Sequence, residues 1–150
     1  MIRTIARILL LSCWLIGAPA LSDDKLRDLR EFGVLIESLD ADAAGCGIEE
    51  ATLDTSLRFI VNQSRIKLVP ERIGADGYIY LQVTVLRNCT AHVQLEVNAR
   101  VRSIKTSQVF MATVWDKGKL LTGSNPRQAT SAAVEELGKK LVNDWTAANR

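Results

Sequence analysis

The stretch Tyr78–Arg102, YIYLQVTVLRNCTAHVQLEVNARVR, decides the fold. In its first part Ile79, Leu81, Val83 and Val85 alternate with Tyr78, Tyr80, Gln82 and Thr84. In its second part Ala91, Val93, Leu95, Val97, Ala99 and Val101 alternate with His92, Gln94, Glu96, Asn98, Arg100 and Arg102. A period of two puts each set on one face of a strand, and one face is apolar in both. Such strands belong to a sheet with one covered face and one wetter face. Pairing them as a hairpin requires both apolar sets on the same side, so opposed residues must both be odd, as Val85 with Ala91 would be. A two-residue turn would oppose odd with even. The pattern therefore predicts a loop of three or five residues around Asn88 and Cys89.

Working outward, GVLIESL (Gly33–Leu39) reads as a strand and DADAAGCG (Asp40–Gly47) as a loop. From Glu49 the apolar positions become Leu53, Leu57, Ile60 and Val61, the spacing of a helix that ends near Ser64, with Glu49 and Glu50 in the turn where the helix dipole favours acids. RIKLV then reads as a short strand stopped by Pro70. VFMATVW (Val109–Trp115) is another strand, with DKGK a turn or bulge after it. Ser124 or Asn125 can cap a last helix with Pro126 at its first position, and Thr130, Val134, Leu137, Leu141 and Trp145 form its apolar stripe. The order β-α-β-β-β-β-α predicts an α+β two-layer domain: a mainly antiparallel sheet with two helices packed on one face.

The N-terminus carries different information. MIRTIAR is basic, ILLLSCWLIGAPA is apolar, and small residues follow. That is the plan of a secretory signal over residues 1–22, cleaved after Ala20 or Ser22. The apolar run is shorter than the about 20 residues of a membrane span. A lipoprotein signal ending at Cys13 is the weaker alternative, because Leu11 suits it poorly and cleavage would leave WLIGAPA exposed. Residues 23–150 remain as one domain with no further transmembrane segment. The chain has 19 Lys+Arg against 17 Asp+Glu, and the signal holds two arginines and no acid, so the mature chain is near neutral. The basic balance belongs to the signal, which argues against a nucleic-acid partner.

Outside the signal the cysteines are Cys46 and Cys89, and the single histidine is His92. Three chemistries compete for them. A nucleophilic Cys46 near a helix N-terminus would use His92 as base, and a thiol–disulfide redox protein would cycle Cys46 with Cys89. A closed zinc site needs about four ligands; two Cys, one His and a nearby acid would be the whole supply, at a spacing that matches no familiar zinc pattern. An even pair in an oxidising compartment favours a structural disulfide, Cys46–Cys89. No metal, cofactor or catalytic residue is assigned.

With the order in place, CGIEEATLDTSLRFIVNQSRIKLV, YIYLQVTVLRNC, ATVWDKGKL and LVNDWTAANR together resemble a family of uncharacterised bacterial secreted or periplasmic proteins. The element order is also loosely similar to the N-terminal domain of TolB. The resemblance implies an envelope location and brings no active site.

One binding hint remains. Tyr78, Tyr80, Gln94, Glu96, Asn98, Arg100 and Arg102 share the polar face, and Tyr and Arg are common at recognition surfaces. The bland account is a solvated sheet face with tyrosines placed by β-propensity. The sequence therefore predicts a non-enzymatic, periplasmic or secreted binding or accessory module, its partner an envelope protein or ligand, with a thiol redox protein as the alternative.

Overall fold

The long hairpin forms in the expected register. In a computed structural model that describes residues 24–70 and 74–150, β3 (Gly77–Val85) pairs antiparallel with β4 (Ala91–Arg102), and Val85 lies opposite Ala91. Odd residues of both strands are buried from Gly77 to Ala99. Residues 86–90 make the odd loop. Leu86 to Cys89 form a tight turn in which the Cys89 amide donates to the Leu86 carbonyl at 2.7 Å. Cys89 follows in the left-handed conformation, φ 59°. A turn followed by a left-handed residue is the usual way an odd loop matches the twist of a hairpin. The signal expected over residues 1–22, with its cleavage points, lies outside the described residues.

Among the described residues the sheet has five strands in the order β2-β1-β3-β4-β5, where β1 is Glu31–Ile36, β2 is Lys67–Leu68 and β5 is Val109–Leu121. The β1 strand runs parallel to both β2 and β3, and the longer pairings, β3 with β4 and β4 with β5, are antiparallel. It begins two residues before the expected Gly33 and ends three before Leu39. The Asp76 carboxylate sets its start by accepting from the amides of Arg30 and Glu31 at 2.7 and 2.9 Å. Its end comes where the chain turns toward Asp40.

Asp40–Gly47, expected as a loop, contains a helical turn, α1 (Ala41–Gly45). Asp40 caps it by accepting from the Ala43 amide at 2.8 Å. Gly47, at φ 70°, ends it: the Gly47 amide donates to Ala44 and the Ile48 amide to Ala43, each at 3.0 Å. This is a Schellman stop, with buried Ile48 and Ala43 as its hydrophobic contact. Local side-chain capping and a left-handed glycine made a helix from a stretch whose composition says loop.

Helix α2 (Glu50–Asn62) buries Leu53, Leu57, Ile60 and Val61, and α3 (Pro126–Ala148) buries the expected stripe from Thr130 to Trp145. Asn125 caps α3 by accepting from the Gln128 amide at 3.2 Å, and Pro126 opens it. Both helices cover the odd-numbered face of the sheet, so the two-layer α+β arrangement holds. Each buried indole finds a partner, as a polar handle in a core must. Trp115 Nε1 donates to Asp144 Oδ2 at 2.9 Å, and Trp145 Nε1 donates to the Leu29 carbonyl at 2.6 Å.

The last strand departs from expectation. It does not stop at Trp115 but runs through DKGK to Leu121. The register with β4 shifts between Val97 and Asn98, leaving Val114 as an extra residue. A bulge of this kind flips the alternation. Ala112 lies opposite inward Ala99, while beyond the bulge Trp115 lies opposite inward Val97. Pairing with β4 and an ion pair between Lys119 and Glu136 of α3 carry the strand through a segment whose residues favour turns.

Candidate binding face

The even-numbered residues of β3 and β4 form the face that no helix among the described residues covers. Cross-strand register sorts them into rows. Leu35, Tyr80, Glu96 and Asp116 make one row, and Gly33, Tyr78, Asn98 and Thr113 the next. Arg100 lies opposite Met111, and Arg102 opposite Val109. All seven residues singled out from the sequence, Tyr78, Tyr80, Gln94, Glu96, Asn98, Arg100 and Arg102, thus belong to one surface.

Glu96 organises its centre. Its Oε1 accepts from Gln94 Nε2 at 2.8 Å, and its Oε2 accepts from Asn98 Nδ2 and from Thr113 Oγ1, each at 3.4 Å. Thr113 Oγ1 also lies 2.9 Å from Asn98 Oδ1. These polar side chains hold one another in fixed positions across three strand steps, which lowers the ordering cost of any partner that uses them. Glu96 also faces Asp116 directly, and like charges opposed across strands are destabilising. Tyr80 sits beside this pair. Partial burial, then the Glu37 carboxylate and the Glu96 charge, push its phenol above the ordinary tyrosine range, so it remains a donor.

Arg100 and Arg102 are exposed and make no ion pair or side-chain hydrogen bond among the described residues. The face is therefore polarised along β4: acidic around Glu96 and basic toward Arg102. Glu37, Thr113 and Asp116 were missed by the sequence reading. Thr113 falls where the bulge resets the alternation, and Glu37 is brought over by parallel pairing of β1 with β3, for which no local pattern exists.

The cysteines are joined. Cys46 and Cys89 form a disulfide with Cα atoms 5.6 Å apart. Cys46 caps the C-terminus of α1 and packs against the core on the helix side. His92 points to the other face, its Nε2 only 3.0 Å from where a Cβ on Gly118 would stand. The sheet separates the imidazole from Cys46, so the imagined cluster of Cys46, Cys89 and His92 does not assemble. Among the described residues no group of three His, Cys, Asp or Glu side chains is placed to hold a metal ion.

Away from the sheet face, α2 and α3 leave a groove of about 420 Å³ lined by Thr55, Phe59, Ile60, Gln63 and Lys139. No helix among the described residues is long and apolar enough to cross a membrane.

No protein-family model matches the chain. No curated protein matches it. Among solved structures it is similar to a minor lipoprotein from Acinetobacter baumannii, at 10% identity and a TM-score of 0.37, over 79% of this chain and 94% of that one. At that score the likeness carries no argument about function.

Proposed function

We propose that the chain is a non-enzymatic binding or accessory module of the bacterial envelope, periplasmic or secreted, whose partner docks on the outer sheet face. The observation that carries this reading is the Glu96-centred network, held by Gln94, Asn98 and Thr113, beside two tyrosines and two arginines with no ion pair, on a face uncovered by helix, among the described residues. The Cys46–Cys89 bond supports the location, since such bonds persist in oxidising compartments. Packing of Cys46 against the core supports a structural staple over a redox pair.

The test is a paired substitution, Tyr80→Ala with Arg100→Ala, in protein purified from the periplasm. Capture of an envelope partner, identified by cross-linking and mass spectrometry, should fall sharply. Exposed Arg100→Ala alone should cost within about 0.5 kcal/mol, and because Tyr80 is half-buried, capture by the double variant is read on protein that circular dichroism shows to be folded. Undiminished capture by the double variant overturns the assignment of this face.

A further inference from the structure

We propose that the β5 edge over Val109–Thr113 is a strand-addition site for an extended partner segment that is apolar at alternate positions and acidic at its flanks. It rests on the reading of the chain as a binding module but uses a different surface, the sheet edge.

The sheet order gives β5 no hydrogen-bonded strand on its far side among the described residues, although the short turn Asp24–Leu26 packs against β5. An edge strand presents a row of unpaired backbone N–H and C=O groups, which proteins blunt with bulges, inward-pointing lysines or short length. The two halves of β5 differ in this respect. The half from Val114 to Leu121 carries the bulge and two lysines, one of them tied to Glu136. The half from Val109 to Thr113, VFMAT, has no bulge, charge or proline. It instead exposes Val109, Phe110 and Met111 at 55%, 51% and 45%, next to Ile104, which is fully exposed in the adjoining turn. Apolar side chains gathered on an unblunted edge mark a docking surface.

Charge selects the occupant. Arg100 and Arg102 lie directly across from Met111 and Val109 on β4, with Lys105 in the turn and Lys117 further along the edge. None of these four makes an ion pair among the described residues. Asp116 is the acid on the same strand. A second copy pairing antiparallel along this edge would bring a basic rim against a basic rim, which costs free energy. A strand with acidic flanks finds complementary charge there. Main-chain hydrogen bonds would supply affinity, and alternate side chains against Met111 and Phe110 would supply selectivity.

The experiment selects binders from a random decapeptide library displayed on phage, against the disulfide-bonded protein. The expected binders alternate apolar residues between Asp or Glu flanks and slow hydrogen exchange at the Val109–Thr113 amides. Replacing their flanking acids with lysine should weaken them about tenfold. Met111→Lys should abolish binding while the melting temperature is retained. Binders with basic flanks, binders that protect another segment such as the α2–α3 groove, or no binders at all would overturn the proposal. A dimer that dissociates on Met111→Lys would overturn it too, assigning the edge to a second copy. Partner capture lost with Tyr80→Ala alone, without peptide protection of β5, would leave the outer-face reading standing and remove the edge.

Discussion

Cys46 ends a one-turn helix and Cys89 is the left-handed residue of the hairpin turn, and their bond, with Cα atoms 5.6 Å apart, ties the helix layer to one end of the sheet. The two residues are 43 apart in sequence, so on the chain-entropy view the bond stabilises by at most about 4 kcal/mol. Cys46→Ser or Cys89→Ser should lower the melting temperature by more than about 5 °C, and the double variant should be little worse than either single. A double variant far worse than both would show that the two thiols act separately.

The two ends of this bond differ in backbone. Cys89 has φ 59°, which costs an L-residue free energy that glycine avoids. Cys46 has φ −92° and gains nothing from glycine. Cys89→Gly should therefore be about 0.5–1 kcal/mol less destabilised than Cys89→Ser, while Cys46→Gly shows no such relief against Cys46→Ser. Urea denaturation of the four variants measures both differences. Equal costs at position 89 would mean the turn relaxes when the bond is lost.

Asp76 governs the response to acid. Its carboxyl is held below the ordinary aspartate range by hydrogen bonds from the Glu31 and Arg30 amides, with the Arg30 charge adding to them against some desolvation. A depressed folded-state value means the carboxylate's contribution is complete above the unfolded-state value near 3.8 and is lost as pH falls through the lower folded-state value. Asp76→Ala should cost about 1 kcal/mol at neutral pH, solvent reducing what buried charged hydrogen bonds give. The gap between variant and parent should close in strongly acidic buffer. Denaturation midpoints at a series of pH values test this, and a gap independent of pH would deny the carboxylate its role.

Tyr80 offers a direct probe of the outer face. Partial burial and the Glu37 carboxylate raise its phenol above 10.0. Glu37→Gln removes the carboxylate's part and should lower the phenol titration seen by ultraviolet difference spectroscopy, while burial keeps it above the free value. No shift on this substitution would mean that burial and the Glu96 charge hold the phenol up without Glu37.

What was legible in the sequence was whatever a local period encodes. The odd-on-odd register of Val85 with Ala91 followed from side-chain alternation, and the Thr130–Trp145 stripe followed from helical spacing. What was not legible depends on partners distant in the chain. The bulge at Val114 is set by pairing with β4, and it puts odd-numbered Thr113 and even-numbered Asp116 on the same outer face without a local mark. The parallel pairing that brings Gly33 beside Tyr78 needs the whole crossover through α2. The turn of helix before Cys46 was hidden because Asp40 and Gly47 are loop formers by composition and helix caps by position. Of the candidate face, seven residues were readable as one side of a ladder, and the acids that gather beside Glu96, Glu37 and Asp116, were not.

Two glycines in the sheet should respond oppositely to alanine. A Cβ on Gly77 would stand 2.5 Å from the Asn98 carbonyl oxygen and 3.3 Å from Ala99 Cβ. Both belong to the neighbouring strand, so the clash can be relieved only by pushing β3 and β4 apart where the register is fixed. Gly77→Ala should cost about 1–3 kcal/mol, the range for overpacking a tight site. A Cβ on Gly118 would meet the tip of the His92 ring at 3.0 Å, with the Val93 carbonyl at an unstrained 3.6 Å. His92 is exposed and can swing away, and alanine restricts the unfolded chain more than glycine does. Gly118→Ala should therefore leave stability within about 0.5 kcal/mol of the parent. Urea denaturation with an unchanged m-value measures both. Equal losses at the two positions would show that His92 is as immovable as the backbone of β4, making it a fixed part of the outer face.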